Sequence, residues 1–198
     1  MQELTVQAKV SLKFCYRKTT LFKLLVASSI FLFALNFGSV LSWTPFLKSF
    51  GLPDYAFGYL WSLLSMAPLL AAIASHVLLK PGKERTFIIA STIISAIIAF
   101  IVLFVYNLTF AIIVLALQFF FVDVMRPAQR VYFHNFIPSK LRATIGSVEG
   151  MLLSLVATVS LPIVGIFVDT IGAKYTIFST SILLIPALLI YLSIKEKE

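Results

Sequence analysis

The sequence predicts an all-α, polytopic membrane protein of six transmembrane helices with both termini cytoplasmic. Three observations carry that fold class. The 198 residues are 60% hydrophobic and only 12% charged, with a mean hydropathy of +1.02, whereas soluble domains run nearer about 45–50% apolar and 25% charged. Six stretches are long and apolar enough to cross a bilayer core, which takes about 20 residues. Finally, the basic residues gather on one side of those stretches, as the positive-inside rule requires. No strand alternation points to a β-barrel, and helices satisfy their own backbone in lipid.

Residues 1–20 are a basic arm holding Lys9, Lys13, Arg17 and Lys18, too polar to be a cleaved signal peptide. The transmembrane domain follows over 21–194. Its first span, Leu21–Phe46, contains Asn36 among several Ser and Thr, with Trp43 and Pro45 near the outer end. Gly51-Leu-Pro53 turns the chain into the second span, Ala56–Leu79, whose inner end carries His76 as a packed or interfacial histidine. Pro81-Gly82 leads to the third, Thr86–Tyr106, which holds nothing more polar than Ser, Thr and a terminal Tyr. The fourth span is Thr109–Phe133. The sequon Asn107-Leu-Thr109 just before it lies hard against the membrane, so a structural role is expected for Asn107. Pro138 precedes the fifth, Ala143–Val168, where Gly146 and Gly150 allow close helix approach. Gly172 joins it to the sixth, Thr176–Ile194, and 195–198 form a cytoplasmic tail.

Of the 16 Lys and Arg residues, all but Lys48 and Lys174 lie in the arm or at the inner start of the first span (Lys23), the second-to-third connection, the fourth-to-fifth region or the tail. That bias places both termini inside a multi-pass protein of the cell membrane. It also accounts for the net charge of +8 with the lipid bilayer as partner and without nucleic acid. The single Cys15 excludes an internal disulfide.

The chemistry gathers in the fourth span. Asp123, Arg126 and Arg130 are spaced i, i+3, i+7, with His134 four residues on, so they share one helix face. Asp123 lies roughly 16 Å from His134 along the axis, near mid-bilayer. Pro127 beside them is expected to kink the helix. Ionisable groups inside a membrane face the bundle interior or water. The first, fourth and fifth spans, carrying Asn36, this stripe and Glu149, should therefore border a polar interior, while the third and sixth face lipid. Asp123, Arg126, Asn36 and Arg130 are candidates for a substrate or proton pathway. Two readings stand for Asp123: a neutralising pair with Arg126 that cements packing, or a carboxylate that changes protonation or binds a cation. Glu149 is a candidate for an ion pair at a cytoplasmic gate, with Lys140, Arg142 or Arg85.

Several segments resemble a known family. Arg130, Ile137-Pro-Ser, Arg142-Ala-Thr144, Ser147, Pro162-Ile-Val-Gly165 and Asp169-Thr-Ile-Gly172 are similar to the fourth and fifth helices in the carboxy-terminal half of major facilitator superfamily transporters. Phe50-Gly-Leu-Pro-Asp54, followed by Gly58 and Ser62, is similar to the outer turn and next helix of that half. The resemblance implies helices seven to twelve of a twelve-helix transporter. Seven and ten (here the first and fourth spans) line a central cavity, and nine and twelve lie outside. It also implies that residues 1–20 resemble the linker between halves. Lys80-Pro-Gly-Lys-Glu-Arg85 keeps the charge of the family's basic loop without its usual spacing. Such transporters hold substrate between two six-helix halves. This chain is then half of a split transporter, a homodimer of halves or a truncated remnant.

The leading expectation is secondary active transport of a small molecule by alternating access, as one half of a two-half transporter. Proton coupling fits Asp123, since a carboxylate titrates in a low-dielectric cavity. The alternative is a non-transporting scaffold or truncated membrane protein without its partner half. An enzyme is not expected: there is no HExxH, no nucleophile motif with a partnering His and no catalytic carboxylate pair. No pattern asks for a cofactor or a metal.

Overall fold

A computed structural model describes residues 18–194. Lys9, Lys13 and Arg17 of the expected arm and the 195–198 tail lie outside the described residues. Within them the chain is all α-helix apart from two short 3-10 turns and connections. Six helical stretches are long and apolar enough to cross a membrane: Thr19–Lys48, Asp54–Leu78, Glu84–Phe104, Leu108–Asn135, Arg142–Ile171 and Ala173–Ser193.

Two of the six are broken where the sequence predicts continuous helices. The first span is a helix Thr19–Phe37 and a second helix Val40–Lys48, interrupted at Gly38-Ser39. The second span is Asp54–Leu64 followed by Ala67–Leu78, with the break at Ser65-Met66 just before Pro68. Glycine and serine together lower helix propensity, and proline at the first turn suits a fresh helix start. The fourth span, by contrast, runs as one helix Leu108–Asn135 with Pro127 inside it. Asn107 caps that helix, its side-chain oxygen accepting from Phe110 N at 2.8 Å, which is the structural role expected of it. The fifth and sixth spans are joined by Gly172 alone. Its φ of 86° and ψ of 156° are a conformation nearly reserved for glycine.

Packing pairs the helices in a regular way. The first span packs on the fifth and sixth, the fourth packs on the second and third, and the third and sixth pack on each other. Exchanging each helix with the one three places along (first with fourth, second with fifth, third with sixth) maps these contacts onto one another; the fifth and sixth spans also touch, without a comparable counterpart between the second and third.

The apolar core is divided. One cluster joins the Thr19–Phe37 end of the first span to the lower fourth and far sixth, through Leu24, Phe31, Met125, Tyr132, Leu184 and Tyr191. The other gathers Trp43, Leu47, Phe57, Ile98, Leu115 and Ile177 at the opposite end. On every helix that contributes to both, polar residues sit between the two sets: Ser42 on the first, Ser91, Thr92 and Ser95 on the third, Gln118 on the fourth, Thr180 on the sixth, all buried. A polar belt thus crosses the middle of an apolar bundle.

Burial corrects one expectation. The third and sixth spans do send Ile93, Ile97 and Phe100, and Ile182, Ile185 and Leu189, outward, but their opposite faces supply much of the belt. The fifth span is the least enclosed, with 11% of its most apolar window buried against 39% for the third. Overall apolarity is a property of a whole helix, whereas burial depends on which stripe meets a neighbour. Ser91, Thr92 and Ser95 of the third span and Thr176 and Thr180 of the sixth fall on the inward stripe.

Candidate functional site

The fourth helix carries its charged stripe to an open side of the bundle. Asp123 and Arg126 form an ion pair, Nη1 to Oδ1 at 3.4 Å, in which Asp123 is nearly enclosed and the Arg126 side chain is 68% exposed. Two clefts meet at this pair. One lies between the first and fourth spans and includes Asn36, Gly38, Ser39 and Gln118. The other lies among the second, fourth and fifth spans and includes Arg130, Gln129, Glu149 and the glycines Gly146 and Gly150. A helix of 3.6 residues per turn brings Asp123, Arg126 and Arg130 onto one stripe, and the adjoining spans supply the walls.

The expected site residues are placed as follows. Asp123 and Arg126 line both clefts. Asn36 lines the first and donates from Nδ2 to Ser160 Oγ, tying the first span to the fifth. Arg130 lines the second cleft with Glu149. Glu149 is thereby placed with Arg130. Arg85 and Arg142 bond to backbone carbonyls. Arg85 donates from Nη2 to Leu192 O at 2.8 Å and from Nε to Tyr191 O at 3.4 Å, capping the end of the sixth helix. Arg142 donates from Nε to Ile137 O at 3.3 Å. The last carbonyls of the sixth helix lack intrahelical donors, and the Arg85 guanidinium supplies them.

Gln118 and the Gly38-Ser39 break were not among the expected site residues. Gln118 is 2% exposed, and its Oε1 has no hydrogen-bond partner, as is true of Ser39 Oγ, Ser42 Oγ and Thr180 Oγ1. A Cβ on Gly38 would overlap the Gln118 amide nitrogen, so the absence of a side chain there lets the glutamine lie against the break between the two helices. A Gly-Ser pair inside an apolar run is a recognisable breaker signal, but that a glutamine from the fourth span, far away in sequence, fills the gap is not. Further down, Gln129 Nε2 donates to Tyr191 Oη at 2.7 Å, joining the fourth and sixth spans.

The arrangement offers charges of both signs and unsatisfied polar atoms around one mid-bundle opening. Inside a membrane, groups of this kind border a water-filled pathway or a partner. Among the described residues no three of His, Cys, Asp or Glu gather as metal ligands. No protein-family model matches the chain, and no similar protein was found among curated proteins or solved structures.

Proposed function

We propose that this chain is one wall of a two-walled secondary transporter of the cell membrane, which moves a small molecule by alternating access. The observation that carries the proposal is the exposed Arg126 guanidinium, paired with Asp123 at the junction of two polar clefts. A charge held against hydrocarbon is costly, so this face calls for water and a facing wall. A second six-helix unit, either another copy or a separate half, supplies that wall, and both termini lie in the cytoplasm. The packing pattern supports kinship with the carboxy-terminal half of major facilitator transporters. Three helices are an odd number, so units of three related by a two-fold exchange run in opposite directions, and inverted three-helix repeats are the build of such halves. The breaks in the first and second spans add support, since discontinuous helices mark midplane sites in transporters.

The test is the native mass of the complex extracted gently from its own membrane, followed by flux in reconstituted vesicles. A homodimer, or pairing with a second six-helix chain, is expected. A lone monomer that catalyses no flux would leave a scaffold as the better reading.

A further inference from the structure

The cleft among the second, fourth and fifth spans holds more hydrogen-bond donors than acceptors, and that imbalance points to a ligand. Arg126 and Arg130 both line it from the fourth helix. Four residues of helix set them about 6 Å apart along the axis, on one face. Both are exposed, and two guanidiniums carry about ten N–H donors. Among the described residues, their only side-chain partner is the Asp123 carboxylate, which meets Arg126 at 3.4 Å. That distance is longer than the roughly 2.7–2.9 Å of a well-formed charge-assisted bond.

The facing wall leaves room. Gly146 and Gly150 of the fifth span line the cleft, and a Cβ added at either would meet nothing within 4 Å. The cleft is about 610 Å³, inside the roughly 300–1,000 Å³ of small-molecule sites. Glu149 stands on the same wall and is half-buried. Among the described residues it forms no ion pair with either arginine and receives no hydrogen bond. With Asp123 nearly enclosed, the accessible charge of the cleft is mainly cationic, with one acceptor set across from it.

We propose that this cleft binds a small hydroxylated organic anion, a hydroxycarboxylate or the phosphate ester of a polyol. The guanidinium fork matches the oxygens of a carboxylate or phosphate bidentately, so Arg126 and Arg130 together hold the anionic group. A hydroxyl on the neighbouring carbons donates to the Glu149 carboxylate. An anion without that hydroxyl would meet Glu149 as a bare like charge, and a ligand with an ammonium would bring a cation to two exposed guanidiniums. The inference deepens the transport reading and rests on it for its purpose, but its test reads binding alone.

The purified full-length chain is titrated at equilibrium with radiolabelled L-lactate and glycerol 3-phosphate. At least one should bind saturably, and which one binds tells carboxylate from phosphate. The uncharged analogues propane-1,2-diol and glycerol should compete roughly 10- to 100-fold more weakly than the parent anions, the range for losing a hydrogen bond to a charged group. The deoxy analogues propionate and n-propyl phosphate should compete several-fold more weakly. Arg126→Gln and Arg130→Gln should each weaken binding roughly 10- to 100-fold, with Lys at either position recovering part of it. Glu149→Leu should erase the preference for the hydroxylated anion over its deoxy analogue. Gly150→Leu, whose side chain enters open space, should block binding without lowering the melting temperature. The analogue comparison uses the unmodified protein, so it stands even where a variant fails to fold. No binding of either anion, deoxy or uncharged analogues equal to the parents, or tighter binding of L-alanine than of L-lactate overturns the inference. Binding of an anion without flux keeps this site and removes transport. Flux of another solute without binding of either anion keeps transport and removes this site.

Discussion

Replacing Asp123 by Asn separates a transport carboxylate from a packing brace. The pair with Arg126 has one contact at 3.4 Å, and the arginine side chain is 68% exposed. A pair with one long contact and one exposed partner contributes about 1 kcal/mol or less, although Asp123 itself is nearly enclosed, and Asn keeps the shape and still accepts a hydrogen bond. In a domain of this size each 1 kcal/mol moves the melting temperature by about 2–4 °C, so the variant should melt within about 4 °C of the parent. Breaking a buried, fully enclosed pair would instead cost about 3–5 kcal/mol, a drop of about 6–20 °C at the same conversion. The assay is thermal unfolding in detergent by intrinsic fluorescence, alongside proton-driven flux in vesicles prepared at matched protein density. Flux should fall to background in a chain that inserts and melts normally. A large fall in melting temperature would identify the pair as cement and refute the reasoning from exposure. Unchanged proton-driven flux would remove Asp123 from the mechanism.

Other substitutions test the fold beneath the site. Leu115→Ala, at a fully buried position in the cluster around Trp43, should cost about 2–4 kcal/mol, whereas Leu69→Ala, 61% exposed, should stay within about 0.5 kcal/mol; equal effects in unfolding scans would misplace the core. Tyr191→Phe removes the acceptor of the Gln129 bond and should destabilise by about 1 kcal/mol, read by the same scan. Gly172→Ala forces a side chain into φ 86°, ψ 156° and should cost about 1–3 kcal/mol. A neutral result there would mean that the connection between the fifth and sixth spans adopts another conformation.

Much of the architecture is legible without coordinates, and the reason is local. A lipid core demands about 20 apolar residues per crossing, so span number and order can be read directly, and the observed helices agree with the expected ones to within a few residues at most ends. Asp123, Arg126 and Arg130 belong to one helix, and their common face follows from its period alone. Asn107 was recognisable as structural because so short a connection leaves it beside a helix start.

What lies between helices was not legible. Lys140 and Arg142 are the cations nearest Glu149 in sequence, yet Arg130 from another span shares its cleft, and Arg85 caps a helix more than a hundred residues away. The third and sixth spans look like lipid-facing helices by composition, yet Ser95 and Thr180 are fully buried. Nothing in the sequence marks Gln118, which lies off the charged stripe. It gained significance only when packing set it against Gly38. The sequence by itself determined the number of crossings, their order and the charged stripe, because hydrocarbon thickness and helical period act on consecutive residues. Only the tertiary structure decided which stripes meet, where the polar belt closes and which donors lack acceptors, because those depend on distances between residues that the chain holds far apart.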